Sequence, residues 1–248
     1  MLILLPPSEG KTAAARGRHL DLGRLSLPEL GATRTSVLEA VGRTSLLEDA
    51  AERPGISPDL QGEIARNTCL LTAPTAAAGR VYSGVLYQAL DLPSLDTASG
   101  RRAHRWLLVV SALFGAVRMG DRIPAYRLLM GVNLAAPGPL PAVWRGPLAA
   151  TLPGAAGQGL VLDCRSSTYA VAWVPRGPLA RRWVKVRVRG ASHLAKHTRR
   201  LVARHLCEMG VGARSPGALA EVVGRRFDVA LAPPVRAGQP WTLDASAR

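Results

Sequence analysis

Five side chains that could do chemistry fall between Gly115 and Gly131: Arg118, Asp121, Arg122, Tyr126 and Arg127. Guanidinium forks suit carboxylates and phosphates alike. The cluster therefore fits either a structural ion-pair network or a pocket for a phosphate or a base. A second cluster lies at the start, where Leu5-Pro6-Pro7-Ser8-Glu9-Gly10-Lys11-Thr12 comes close to a phosphate-binding loop. Leu5 stands where that motif needs its first glycine, and Pro6 and Pro7 remove amide donors. A true nucleotide-hydrolysing loop is not expected. A looser anion site is, built from Ser8, Lys11, Thr12 and the amides of Gly10 to Thr12. The competing reading is an ordinary strand-to-loop turn with a solvated lysine.

Two further clusters lie downstream. Asp163, Ser166 and Tyr169 follow an aliphatic run, at the strand end where α/β sheets place their sites. His193 and His197 stand four apart, which is metal-ligand spacing on a helix. The glutamate and the third ligand are missing, so no metal is expected. The same helix carries Lys196, Arg199, Arg200 and Arg204, a face expected to meet solvent and an anionic partner. Lys11 and Arg127 would then form a separate, smaller pocket beside it. Lys11, Asp121, Tyr169 and Lys196 are the candidate catalytic residues, with no reaction assigned to them. No Ser/His/Asp triad and no paired carboxylates stand out.

Strands and helices that could carry these groups show in the hydrophobic pattern. Met1–Leu5, Trp106–Ser111 and Leu160–Asp163 are aliphatic runs of the kind buried on both faces of a sheet. Val171–Val174 and Trp183–Val188 alternate and look half exposed. Val184, Val186 and Val188 share one face there, with Lys185, Arg187 and Arg189 on the other. Helical spacing covers Ser36–Ala51, Asp59–Asn67, Ala142–Leu152, His193–Met209 and Leu219–Arg225, with a turn of helix at Leu86–Leu90. Residues 13–33 read as a loop. Phe227–Leu231 and Trp241–Leu243 could close a terminal hairpin. No repeat and no long linker divides the chain. The expected fold is mixed α/β, one compact domain over residues 1–248 with a central mixed sheet flanked by helices.

Composition narrows the function. A chain of 248 residues with 48% hydrophobic and 20% charged residues fits a globular protein with a conventional core. No apolar run reaches the roughly 18 residues of a membrane span, and the N-terminus lacks the basic start of a signal peptide. A cytoplasmic location without a membrane partner is expected. Cys69, Cys164 and Cys207 are widely spaced and read as free thiols. Thirty-two basic against 17 acidic residues give a net charge of +15. GC-rich coding accounts for arginine over lysine but not for base over acid. The excess favours a polyanion: nucleic acid, nucleotide or phosphate. The 4% aromatic content disfavours a single-strand stacking platform.

The central run Val109–Arg118 with Asp121, followed by Pro124-Ala125-Tyr126-Arg127-Leu128-Leu129-Met130-Gly131, resembles the signature block of the YaaA family of bacterial peroxide-stress proteins. Met1-Leu2-Ile3-Leu4 with Lys11-Thr12, Val81-Tyr82-Ser83-Gly84, Leu162–Tyr169 and Ser192–Lys196 are similar to further family elements, in the family's order. Ala112, Met119 and Cys164 depart from the pattern. Only its place in such an element singles out Cys164 for a redox role. The resemblance implies a factor that limits iron-driven oxidative damage to DNA during peroxide stress and binds DNA through a basic cleft. On this reading Lys196, Arg199, Arg200 and Arg204 contact duplex DNA. Ser8, Lys11, Thr12, Tyr82, Arg118, Tyr126, Arg127, Ser166, Tyr169 and Lys196 are the ligand-binding set. The alternative is an enzyme acting on a nucleobase, nucleotide or other small anion in a pocket lined by these motifs. Neither a cofactor nor an oligomeric state is implied.

Overall fold

A computed structural model describes residues 1–45, 65–188 and 192–248. Strand β1 (Leu2–Leu5) is four aliphatics, all fully buried, and Pro6-Pro7 ends it by removing two ladder donors. Helix α1 (Gly31–Ser45) follows two short 3₁₀ turns inside the stretch expected to be loop. The rest of the helix expected at Ser36–Ala51, and most of that at Asp59–Asn67, lies outside the described residues. β2 (Ala76–Ala77) leads into the short helices α2 (Ala78–Val81) and α3 (Val85–Gln88). Helix α4 (Thr97–Trp106) was not legible in the apolar pattern. Asp96 caps it, its carboxylate accepting from the Ala98 and Ser99 amides at 2.8 and 2.9 Å.

Strand β3 (Leu107–Ser111) is buried throughout, as its sequence predicts. It folds straight back into β4 (Gly115–Arg118), a strand where the sequence predicted only a turn and a loop. The Ser111 hydroxyl ties that turn by accepting from the Leu113 and Phe114 amides. Then come β5 (Arg122–Ile123), helix α5 (Leu140–Ala156), β6 (Val161–Asp163) and the short helix α6 (Ser167–Ala170). β7 (Trp183–Arg187), helices α7 (Ser192–Met209) and α8 (Pro216–Gly224), and the hairpin β8 (Phe227–Ala232) and β9 (Trp241–Ala247) complete the chain.

Seven strands make one sheet in the order β4-β3-β1-β6-β7-β9-β8, and β2 pairs with β5 separately. The five inner strands are parallel, and both edge strands are antiparallel to their neighbours. Ile3 sits opposite Leu107 on one side and Leu162 on the other. A parallel strand with partners on both sides and helices nearby meets no water, which is why β1, β3 and β6 read as unbroken aliphatic runs. The terminal hairpin forms as expected and adds its second strand to β7.

One expected element is different. Val171–Val174 is not a strand but the irregular exit from α6. Arg165 is fully buried, and its guanidinium donates to the carbonyls of Trp173 at 2.9 Å and Tyr169 at 3.4 Å. Those carbonyls are thereby taken from any ladder. No described helix is long and apolar enough to cross a membrane.

Candidate functional site

The chain leaves β1 toward β3 on one side of the sheet and leaves β6 toward β7 on the other. Where neighbouring parallel strands send their connections in opposite directions, the loops beyond their carboxyl ends part and open a crevice. Here those loops are Pro6–Lys11 and Cys164–Tyr169, and between them lies a cavity of about 820 Å³. Ser8, Glu9 and Gly10 line it from the first loop, and Cys164, Ser166, Thr168 and Tyr169 from the second. Ser83-Gly84, the Leu129–Val132 segment, and Arg199 and Arg200 of α7 close it. Pro6, Pro7, Leu129 and Val132 make apolar wall. Glu9, the two arginines and the hydroxyls are its polar groups.

Beneath the crevice a chain of aromatic contacts locks the loops together. The Tyr82 and Tyr126 hydroxyls are 3.0 Å apart, and that of Tyr126 is 2.8 Å from the Ser111 hydroxyl. The Tyr82 and Tyr87 rings lie 5.5 Å apart. The Tyr87 hydroxyl donates to the Pro6 carbonyl at 2.7 Å. Cations cover both ends: Lys11 Nζ lies 4.3 Å from the centre of the Tyr126 ring, and the Arg200 guanidinium 4.4 Å from that of Tyr87. With Tyr169 on the wall, all four tyrosines of the chain meet here. Burial pushes the phenols of Tyr87 and Tyr169 up to about 12, Tyr169 against a hydrogen bond from the Met130 backbone. Each therefore stays neutral and able to donate at neutral pH.

The sequence-predicted residues divide as follows. Ser8, Ser166 and Tyr169 line the cavity. Lys11 stands at its edge and donates to the Ser8 and Glu9 carbonyls at 3.1 and 3.3 Å. Arg127 reaches the same Glu9 carbonyl at 3.5 Å. Tyr82 and Tyr126 are buried under the floor. The amide cradle expected at Gly10 to Thr12 is altered by the backbone itself. The Thr12 amide donates to the Val81 carbonyl at 2.9 Å, while the loop turns carbonyls toward Lys11. The Ser8 hydroxyl donates to the Gly10 carbonyl and accepts from the Ser83 amide.

Arg118 and Asp121 do not join Tyr126 and Arg127. The Asp121 carboxylate accepts from the Ser26 amide and hydroxyl and from the Arg118 amide, and it lines a different cavity. The Arg118 guanidinium donates to the Arg105 carbonyl. Asp163 is consumed as well. Arg165 grips it through two nitrogens at 2.9 and 2.7 Å, and Trp183 donates to it at 3.2 Å. Burial raises that carboxyl, but the Arg165 guanidinium and the donated hydrogen bonds outweigh burial and hold it below the usual carboxylate range.

The expectation of one solvated cationic face on α7 needs correction. Arg200 is buried and lines the cavity together with Arg199, whose Nε donates to the Val186 carbonyl at 3.1 Å. Arg204 is tied to Glu208 at 2.7 Å, to the carbonyls of Leu90 and Asp91, and to Ser94. Arg199 and Arg200 thus belong with the loops after β1 and β6, not to a surface apart from them. Lys196 lies one turn earlier on α7. Its side chain and that of His193 are outside the described residues. Sequence reasoning also missed Arg165 and Tyr87. The Asp163-x-Arg165 spacing at a strand end was the available signal for the first.

Cys164 sits on the cavity floor, 1% exposed. Burial, and then Asp163, push its thiol up to about 12 against Arg199 and Arg200. Burial does the same to Cys207. A thiol that high is not a nucleophile at neutral pH. Dithiobis(nitrobenzoate) at pH 8 is expected to titrate one thiol quickly in the native protein, the exposed Cys69, and all three in denaturant. Fast native reaction of a second thiol would overturn this assignment.

A model of the family described as "Peroxide stress protein YaaA" matches residues 1–229, which include every segment that meets at the cavity. A "UPF0246 protein" of Streptomyces coelicolor is 50% identical over 98% of this chain and 97% of its own length. Another, of Corynebacterium efficiens, is 40% identical over 90% of this chain and 91% of its own. A third, of a Ruegeria species, is 29% identical over 95% and 98%.

Proposed function

The chain belongs to the peroxide stress protein YaaA family, and on that premise we propose that its working site is the cavity between β1 and β6. The ligand we infer is a small anion built on a flat ring, a nucleobase or nucleotide. One observation carries this reading: motif segments spread from Ser8 to Tyr169, joined by Arg199 and Arg200 of α7, meet at one cavity at the sheet's switch point. The apolar wall would take the faces of a ring, and the few polar groups would fix its orientation. Arg199 and Arg200 would hold the anionic part. The hydroxyls of Ser8, Ser166 and Tyr169 would read the ring edge. Lys11, Tyr169 and Lys196 are the groups proposed to move a proton if the ligand is turned over. Asp121 is left out because it lines another cavity.

A second reading keeps duplex DNA as partner, and the net charge of +15 favours it. With Arg204 tied to its neighbours, such binding would draw on the exposed arginines outside α7 and on Arg199 and Arg200 at the cavity. A panel of nucleobases, nucleosides and nucleotides tested by thermal shift separates the readings. The cavity reading expects at least one member to raise Tm, and Thr168→Trp to abolish that rise. Thr168 is an exposed residue on the cavity wall, so a large ring there obstructs the space without disturbing the core. No shift from any member, alongside salt-dependent duplex binding, would favour the DNA reading instead.

A further inference from the structure

A second cavity, of about 700 Å³, shares no lining residue with the first. Four basic side chains line it: Arg18, His19, Arg24 and Arg122. Two carboxylates, Asp21 and Asp121, also line it, and both are engaged within the fold. Asp121 is committed to Ser26 and to the Arg118 amide, and it also feels the charges of Arg34 and Arg118. Asp21 caps the turn that follows it, accepting from the Gly23 amide at 3.0 Å.

The cationic wall is held in place by the backbone. The Arg18 carbonyl accepts from both the amide and the hydroxyl of Thr75, at 2.9 and 2.8 Å. The Thr75 carbonyl in turn accepts from the Arg122 guanidinium. Gly17 packs so closely that a Cβ there would lie 2.5 Å from the Thr75 carbonyl oxygen. Among the described residues, no hydrogen bond or ion pair engages the guanidinium of Arg18 or Arg24, or the imidazole of His19. The hydrogen-bond partners of Arg122, Asp21 and Asp121 are neutral backbone groups and a hydroxyl, so three arginines face two carboxylates and the lining keeps an excess of one positive charge with His19 neutral. Like charges gathered around a concavity repel one another and concentrate a field that a compact anion relieves.

We propose that this second cavity binds a compact phosphoryl anion, with Arg18, Arg24 and Arg122 as its clamp. Guanidiniums bind phosphate oxygens in pairs of hydrogen bonds, and three of them around one space suit linked phosphoryl groups better than a single carboxylate. The source is either free pyrophosphate or the phosphate chain of a nucleotide.

Calorimetric titration of the intact protein with inorganic pyrophosphate at low ionic strength tests the site. The expected result is saturable binding at one site, weakened at least tenfold in an Arg18→Ala/Arg24→Ala variant and unchanged in Thr168→Trp. Both arginines are exposed, so the variant should fold normally. An Arg18→Gln/Arg24→Gln variant, which keeps side-chain length, should lose affinity to the same degree. In the Thr168→Trp background, displacement of pyrophosphate by adenosine diphosphate assigns the phosphates of a nucleotide, and failure to displace assigns the free anion. Absence of saturable binding, full affinity in the double variants, or an equal loss in Thr168→Trp would overturn the proposal.

Discussion

Replacing Arg165 with methionine is expected to cost about 3–5 kcal/mol of stability at pH 7, the usual effect of leaving one member of a buried ion pair without its partner. The Arg165 and Asp163 side chains are 0% and 1% exposed and lie 2.7 Å apart. The arginine also holds the Tyr169 and Trp173 carbonyls, so the loop on one side of the cavity should loosen with it. The pH dependence has a defined sign. In the native protein the Asp163 carboxyl lies below its unfolded value, so its contribution is complete above about pH 4 and is lost as pH falls through the folded value. In Arg165→Met, burial acts without its largest counterweight, only the residue-165 amide and Trp183 still donating, and the carboxyl rises, so acid favours the folded variant. Its deficit against the native protein should therefore be greatest near pH 7 and shrink toward pH 4. Urea unfolding at several pH values measures this. A deficit that stays constant across that range would mean the pair is not what stabilises the loop.

Gly115→Ala is expected to be the other severe substitution. Gly115 has φ +71°, and a Cβ there would lie 2.5 Å from the Trp144 ring. The left-handed backbone costs a side-chain-bearing residue about 1–2 kcal/mol. Forcing extra volume into a packed core adds roughly 1–3 kcal/mol. The Trp144 ring has little room to yield. It is fully buried, and its indole N–H donates to the Ala112 carbonyl at 2.8 Å. The displaced ring would pull on the β3–β4 turn and on Ser111, which touches the hydroxyl of Tyr126 under the cavity floor. Unfolding midpoints with tryptophan fluorescence as the probe test this. A loss below about 1 kcal/mol would mean the turn repacks, the adaptation that tolerant cores show.

The inner strands were legible because burial on both faces fills β1, β3 and β6 with aliphatic residues, interrupted only at the last positions, Ser111 and Asp163. The terminal hairpin was legible from its alternation. Helix α4 escaped because Gly100, Arg101, Arg102, His104 and Arg105 hide a narrow buried stripe of Ser99, Ala103 and Trp106. Strand β4 escaped because a Gly turn followed by an arginine reads as a loop, and only pairing with β3 makes it a strand. At the site, the loops after β1 and β6 were found from motif and strand end, and Ser8, Ser166 and Tyr169 do line the cavity. Sequence separation hid the division of the 118–127 cluster, since Asp121 turns to Ser26 and Tyr126 turns to Tyr82. Residue type misled at α7. A run of arginines on a helix usually faces water, yet Arg200 lies buried against a tyrosine ring and Arg204 is held by an ion pair and two carbonyls.

The crevice between β1 and β6 is the ligand site proposed for this protein. Equilibrium titration with whichever nucleobase, nucleoside or nucleotide raises Tm tests this in an Arg18→Ala/Arg24→Ala background, which removes the clamp of the second cavity, alone and with Arg199→Ala or Thr168→Trp added. Saturable binding is expected in that background, with a loss of at least tenfold on adding Arg199→Ala and none detectable on adding Thr168→Trp. Undiminished binding with both additions would place the ligand elsewhere.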